Sequence, residues 1–288
     1  MIVRENVPLA PFSTLHVGGR ARYFVAAPSC TSLCEALSWA EDHALPFFIL
    51  GGGSNTLFRD EGFPGIVIKM EQRGITVSGT ELRAHAGVVT RLAVTTSVHR
   101  GLTGLERLAG IPGTIGGAVR GNAGSFGSET KDLLTRVEVL HRTPRGWEEE
   151  VLPRESLTFG YRDSLFKRDP SYVICRAAFA LTEGDDSQGE RLVLEDLARR
   201  RQKQPYEFPS VGSVFKNPRS DLPAGKLIEA SGCKGLRVGG AVVSTKHANF
   251  IVNVGRAGAA DVLQLIAEVQ KRVHDHAGVM LEEEIVII

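Results

Sequence analysis

Phe47-Phe48-Ile49-Leu50-Gly51-Gly52-Gly53-Ser54-Asn55-Thr56 sets four apolar residues directly against three glycines and three small polar residues. The apolar run reads as a buried strand. The glycines after it permit positive φ and let main-chain N–H groups approach a ligand closely. Ser54, Asn55 and Thr56 add side-chain donors, and successive amides of this kind can form a concave anion site. Further on, Gly110-Ile111-Pro112-Gly113-Thr114-Ile115-Gly116-Gly117-Ala118 and then Gly121-Asn122-Ala123-Gly124 repeat the composition. Taken singly, such a cluster is an ordinary turn. Two of them in one chain point to a loop pair around a dinucleotide pyrophosphate. Neither is a Walker loop, because no Gly-Lys-Ser/Thr follows. Neither matches the Rossmann fingerprint, which needs its own glycine spacing, a βαβ frame and an acidic residue for the ribose.

Outward from the first cluster, Leu33, Ala36, Leu37 and Ala40 form an apolar stripe that predicts a helix over 32–43, with Ser32 and Glu35 as its capping box. Strands are predicted at 47–50, 65–69, 74–78, 82–86, 135–140, 147–151, 172–181, 241–244 and 249–254. A helix is predicted at 88–100, and another opens at Ser187 and Glu190 and runs to about Arg201. Val262, Leu265, Ile266, Val269 and Val273 predict a helix over 259–276, followed by a terminal strand over 279–287. Pro205 and Pro209 mark a domain boundary. The class is α+β.

The 288 residues allow two or three domains. A hydrophobic fraction of 42% with 23% charged residues describes a globular chain, and a net charge of +1 argues against a nucleic-acid or membrane-surface partner. The N-terminus has no apolar signal run, and no stretch is long enough to span a bilayer, so a cytoplasmic location is expected. Cys30, Cys34, Cys175 and Cys233 show no CxxC or metal-ligand spacing, and no metal is expected. Cys30 and Cys34 lie four apart and can share a helix face.

Three segments hold candidate chemistry: Phe159-Gly160-Tyr161-Arg162-Asp163-Ser164, Gly212-Ser213-Val214-Phe215-Lys216-Asn217-Pro218, and Leu281-Glu282-Glu283-Glu284-Ile285. On residue chemistry alone Arg162 is either an ion-pair partner or an anion stabiliser. Ser213 has no neighbouring histidine and does not read as a hydrolase nucleophile. Three glutamates in succession suit a solvated edge.

The strings LGGGSN, GIPGTIGGAV, GNAG, GYRDS, GSVFKNP, HANFIVN and LEEEI, in this order, closely resemble the UDP-N-acetylenolpyruvoylglucosamine reductase (MurB) family. Thr14-Leu15-His16-Val17-Gly18-Gly19 resembles its opening. The likeness covers nearly the whole chain and looks like the shorter, type II subclass, without the additional tyrosine-bearing loop. The resemblance implies an FAD-binding fold of the vanillyl-alcohol-oxidase-like (PCMH) type in two subdomains, 1–68 and 69–200, with an α+β substrate-binding domain over 201–288. It implies non-covalent FAD, NADPH as hydride donor, and reduction of enolpyruvyl UDP-N-acetylglucosamine to UDP-N-acetylmuramate for peptidoglycan. A monomer is favoured.

By the same resemblance, Gly51, Gly52, Gly53, Ser54, Asn55 and Thr56 cradle the FAD. Gly110, Ile111, Pro112, Gly113, Thr114, Ile115, Gly116, Gly117 and Ala118 form the other wall, with Asn122, Ala123 and Gly124 against the cofactor. The catalytic arginine falls on Arg162, the serine proton donor on Ser213 and the glutamate on Glu284, with Glu282 as competitor. Tyr161, Lys203, Asn217, His247 and Asn249 fall at substrate contacts. Two other readings stand beside this one: a flavin-dependent oxidase of the same superfamily, with His85 or Cys175 as a covalent tether, and a non-catalytic flavin-binding module.

Overall fold

The computed structural model describes all residues, Met1–Ile288. The chain forms two compact units. The first comprises Met1–Arg4, Tyr23–Gly52 and Gly65–Arg199, and the second Glu5–Arg22, Gly53–Pro64 and Arg200–Ile288. The strands Arg20–Ala27 and Phe63–Met70 each carry the chain from the second unit into the first. The division expected at 68/69 therefore falls inside a strand, whereas the change of unit at Arg199/Arg200 falls within the long helix Asp186–Lys203.

In the first unit, the run Phe47–Leu50 is a strand that pairs in parallel with the later one, Leu50 opposite Lys69. The helix Cys30–Asp42 buries Cys30, Leu33, Ala36, Leu37 and Ala40 on one face. Its cap is Ser29 with Ser32, one turn earlier than the expected Ser32 and Glu35, because Ser29 takes the extended conformation an N-cap needs. Around this lies a five-stranded antiparallel sheet in the order Gly146–Pro153, Leu134–Thr143, Tyr172–Ala180, Glu81–His85, Ile75–Ser78. Leu82, Ala84, Val137, Val139, Ala177 and Phe179 belong to the unit's apolar core. All four cysteines are free thiols; Cys30, Cys175 and Cys233 are buried.

Polar residues from three strands of this sheet form a charged ladder. Glu138 stands opposite Arg176, and Arg176 opposite His85. Arg176 donates to Glu138 at 2.9 Å and to His85 Nε2 at 3.1 Å, while Arg83 pairs with the other oxygen of Glu138. Arg136 grips Glu81 with both terminal guanidinium nitrogens. Burial pushes the Glu138 carboxyl up, but Arg83 and Arg176 outweigh it and hold it below the usual carboxylate range. Burial pushes His85 down, and the charges of Arg176 and Arg83 add to that.

In the second unit, the helix Ala259–Ala277 buries Val262, Leu265, Ile266, Val269 and Val273, the stripe read from the sequence. Each such side chain contributes about 1.5–3 kcal/mol when fully buried. These residues share a core with a four-stranded sheet ordered Ser210–Ser213, Phe250–Asn253, Ala241–Val243, Arg237–Val238. Asp60 accepts from the amides of Ala259 and Ala260, both at 2.9 Å, so a distant carboxylate meets the first turn of this helix. Gly278, at φ 67°, ends it. Thr14 donates to Ser210 and Asn253 to Leu15, which ties the 5–22 segment to the sheet. No helix is long and apolar enough to cross a membrane.

Several elements escaped the pattern. The strands Arg4–Pro8 and Arg20–Ala27 carry charged residues that blur alternation, and the helices Ile115–Arg120 and Ala224–Ala230 are too short to show a period. The expected terminal strand is reduced to Val286–Ile287, parallel to Thr56–Leu57, with an isolated bridge from Phe215 to Glu283 before it.

His85 gives a pH signature. Its folded pKa lies below the unfolded value of about 6.5. Above that pH both states are neutral. As pH falls below it, the unfolded chain takes up a proton that folded His85 refuses, so stability is lost. Urea denaturation from pH 7.5 to 5.5 should show this loss, and His85→Gln should reduce it, the remainder coming from His247, whose pKa burial also lowers.

Candidate functional site

Within the first unit the two glycine clusters meet. A β-carbon at Gly51 would lie 2.6 Å from Thr114 Oγ1, and one at Gly52 would lie 2.7 Å from Gly113 Cα. Only glycine permits that approach. The second cluster is anchored from behind: Ile115 donates to Val88 at 2.8 Å and Gly116 to Ala86 at 2.9 Å. Those two amides are therefore closed to a ligand. Gly113, at φ 125°, makes the turn, and Thr114 caps the short helix by accepting from Gly117. In the second unit Gly53, at φ 66°, faces the Phe12 carbonyl so closely that no side chain fits. Asn55 is held on both sides there: its side chain donates to Glu284 O at 3.1 Å, and its own carbonyl accepts from Val286 at 2.9 Å.

Arg162 stands on a tight turn of the first unit between the paired segments Phe159–Gly160 and Asp163–Ser164. Its φ of 54° is left-handed, a conformation that costs a non-glycine residue about 1–3 kcal/mol and persists only when the surroundings enforce it. They do: Asn122 Nδ2 donates to Gly160 O at 2.9 Å, Ser164 Oγ to Arg120 O at 2.6 Å, and Lys167 Nζ to Arg162 O at 3.1 Å. The guanidinium donates to Gly124 O at 3.2 Å and lies 5.2 Å from the ring centre of the exposed Tyr161. Glu129 is the nearby carboxylate. Burial pushes it up, but hydrogen bonds from Lys131 and Asn122 and the charges of Lys131 and Arg162 hold it low. The side chain of Asn122 is fully buried and saturated by Gly160, Glu129 and the Lys131 amide. It fixes the arginine turn.

Ser213 closes the strand Ser210–Ser213, where the pairing with Phe250–Asn253 slips between Ser210 and Ser213. Gly212, at φ 78°, sits in that irregularity. Bulges of this kind re-aim a side chain beside reactive centres. The next residues pair with the 281–285 segment: Glu284 donates to Val214 O at 2.7 Å and Lys216 to Glu282 O at 2.8 Å. Ser213 and Glu284 thus stand one rung apart on adjoining segments of the second unit. The three glutamates separate by partner. Glu282 is 71% exposed and pairs with Lys216, while Glu283 accepts from Gln270 at 2.6 Å.

Asn249 is 5% exposed, and both ends of its amide are occupied by the Phe215 backbone, at 3.0 and 2.9 Å. It holds the serine-bearing segment. Asn217 accepts from the Ala224 amide at 3.0 Å. Burial lowers the His247 pKa, with Lys234 and Lys203 adding to that, and its ring packs edge-on against Phe250. Lys203 is exposed at the end of the helix Asp186–Lys203. Two residues that the motifs do not single out also matter: Glu129 beside Arg162, and Lys69, whose Nζ meets Gly51 O. The latter was visible as a lysine ending the apolar run Ile66-Val67-Ile68.

Glycine walls pressed together, and an arginine held on a strained turn, suit an enzyme that binds a nucleotide cofactor. Residues 21–146 match an FAD binding domain, which places the chain among flavoproteins. Residues 204–288 match the C-terminal domain of UDP-N-acetylenolpyruvoylglucosamine reductase. Over 287 residues the chain is 42% identical to that reductase from Chlamydia muridarum, covering 99% of this chain and 94% of the relative. It is 43% identical to the reductase from Exiguobacterium sibiricum, covering 98% and 92%. The crystal structure of the Thermus caldophilus reductase (MurB) superposes with a TM-score of 0.85 at 36% identity, over 99% of both chains. The chain belongs to the UDP-N-acetylenolpyruvoylglucosamine reductase family.

Asn249→Leu should strand the Phe215 amide and carbonyl. We expect a loss of about 1–3 kcal/mol in urea unfolding, far beyond that of a substitution at the exposed Glu282.

Proposed function

We propose that this chain is an FAD-dependent reductase that converts UDP-N-acetyl-3-O-(1-carboxyvinyl)-glucosamine to UDP-N-acetylmuramate with NADPH, in peptidoglycan precursor synthesis. The observation that carries this reading is full-length identity above 40% to named reductases in a chain whose FAD-binding segment closes two glycine walls on each other. The cradle fits the cofactor, because bare backbone is what a pyrophosphate needs for close approach. Bound FAD would accept hydride from NADPH and deliver it to the methylene carbon of the enol ether.

The side chains supply orientation, charge and a proton. Arg162 engages the substrate carboxylate, where negative charge gathers as hydride arrives; its fork offers two parallel donors and never loses its charge. Ser213 delivers a proton to the carbon next to the carboxylate. Glu284 polarises the enol ether or orients Ser213. Glu284 is the glutamate assigned to this work because it immediately precedes the final β-branched run, where the family's residue falls. Tyr161, Lys203, Asn217 and His247 contact the sugar nucleotide, whereas Asn122 and Asn249 position the arginine and serine segments. We place the enzyme in the cytoplasm as a monomer.

Flavin absorption by the purified protein, and NADPH oxidation that depends on the enolpyruvyl nucleotide, test the reading. Colourless protein that refuses added FAD would overturn it. Substrate-independent oxygen consumption would favour an oxidase. Ser213→Ala should leave flavin reduction near normal in stopped flow and slow substrate reduction at least 100-fold, on the order expected for loss of an aligned catalytic group. Arg162→Lys should also lose about 100-fold or more in kcat, because a point charge cannot replace the fork.

A further inference from the structure

Lys69 occupies a place that the motif reading passes over. It lies opposite Leu50 in the parallel strand pair, and its Nζ donates to the carbonyl of Gly51, the first residue of the first glycine cluster. The side chain is half-buried. Burial lowers its pKa, with the charge of Glu71 opposing and that of Arg73 adding. An ammonium removed from water toward a neutral carbonyl is costly to keep unless that contact serves a purpose.

The peptide plane supplies the purpose. In a trans peptide, the C=O of one residue and the N–H of the next point to opposite sides, and this chain has no cis bond. A grip on Gly51 O therefore aims the Gly52 N–H away from Lys69. That amide donates to no group of the chain. With glycine on both sides, the plane would otherwise flip at little cost.

We propose that Lys69 is a positioning residue of the pyrophosphate cradle: it fixes the Gly51–Gly52 peptide so that the Gly52 amide is presented to the FAD diphosphate. This rests on the FAD-binding reading above. Lys69→Met keeps the stem and removes the donor, and Lys69→Arg keeps a donor. The test titrates FAD into apoprotein of each by fluorescence quenching, and melts the same apoproteins. We expect Kd for FAD to rise about tenfold or more in Lys69→Met, to recover in large part in Lys69→Arg, and the apoprotein melting temperature to hold. An unchanged Kd in Lys69→Met overturns the proposal, as does a Kd that rises only in step with a lost melting temperature. If the unsubstituted apoprotein itself takes up no FAD, the functional reading fails first.

Discussion

Gly52 meets the backbone of Gly113 and Gly51 the side chain of Thr114 so closely that a β-carbon on either glycine would pry the walls apart. Much of the first unit serves this contact. The parallel strand pair brings in one wall. The other arrives on the Val89–Thr114 bridge and is pinned by the amides of Ile115 and Gly116. Gly116 is itself required, since a β-carbon there would lie 2.8 Å from that of Ala86. The glycines are thus of two kinds: some face the partner wall, and others let the wall be fastened.

Two buried asparagines carry the corresponding load for the segments that bear Arg162 and Ser213. Asn122 locks the turn that bears Arg162, and Asn249 locks the segment after Ser213. A buried amide is costly to leave without partners, so each favours a backbone arrangement that supplies them. The strain at Arg162 is held by the same device, with Ser164 and Lys167 as further ties.

The regular elements were legible because burial and periodicity coincide: the Val262-to-Val273 stripe and the run Phe47–Leu50 are such cases. The family strings single out Arg162, Ser213 and Glu284, but not the contacts that hold their segments. The backbone bonds of Asn122 and Asn249 were not legible, because an asparagine in a motif looks the same whether it faces a ligand or a buried carbonyl. The cap of the helix Cys30–Asp42 was misplaced by one turn because Ser29 and Ser32 are both good caps, and only the backbone conformation decides between them. Lys69 was passed over because its partner is a main-chain oxygen, which no side-chain pattern reveals.

The second unit is assembled from three separated stretches: 5–22, 53–64 and 200–288. Thr14 and Asp60 emerge early from the ribosome, but their partners Ser210, Ala259 and Ala260 emerge much later. At translation speeds of about 5–20 residues per second, the early stretches wait on the order of ten seconds for the rest of their core. Leu15, Val17 and Leu57, which end fully or almost fully enclosed, are uncovered throughout that interval. The nascent chain therefore offers sticky segments to chaperones well before its C-terminal part can claim them.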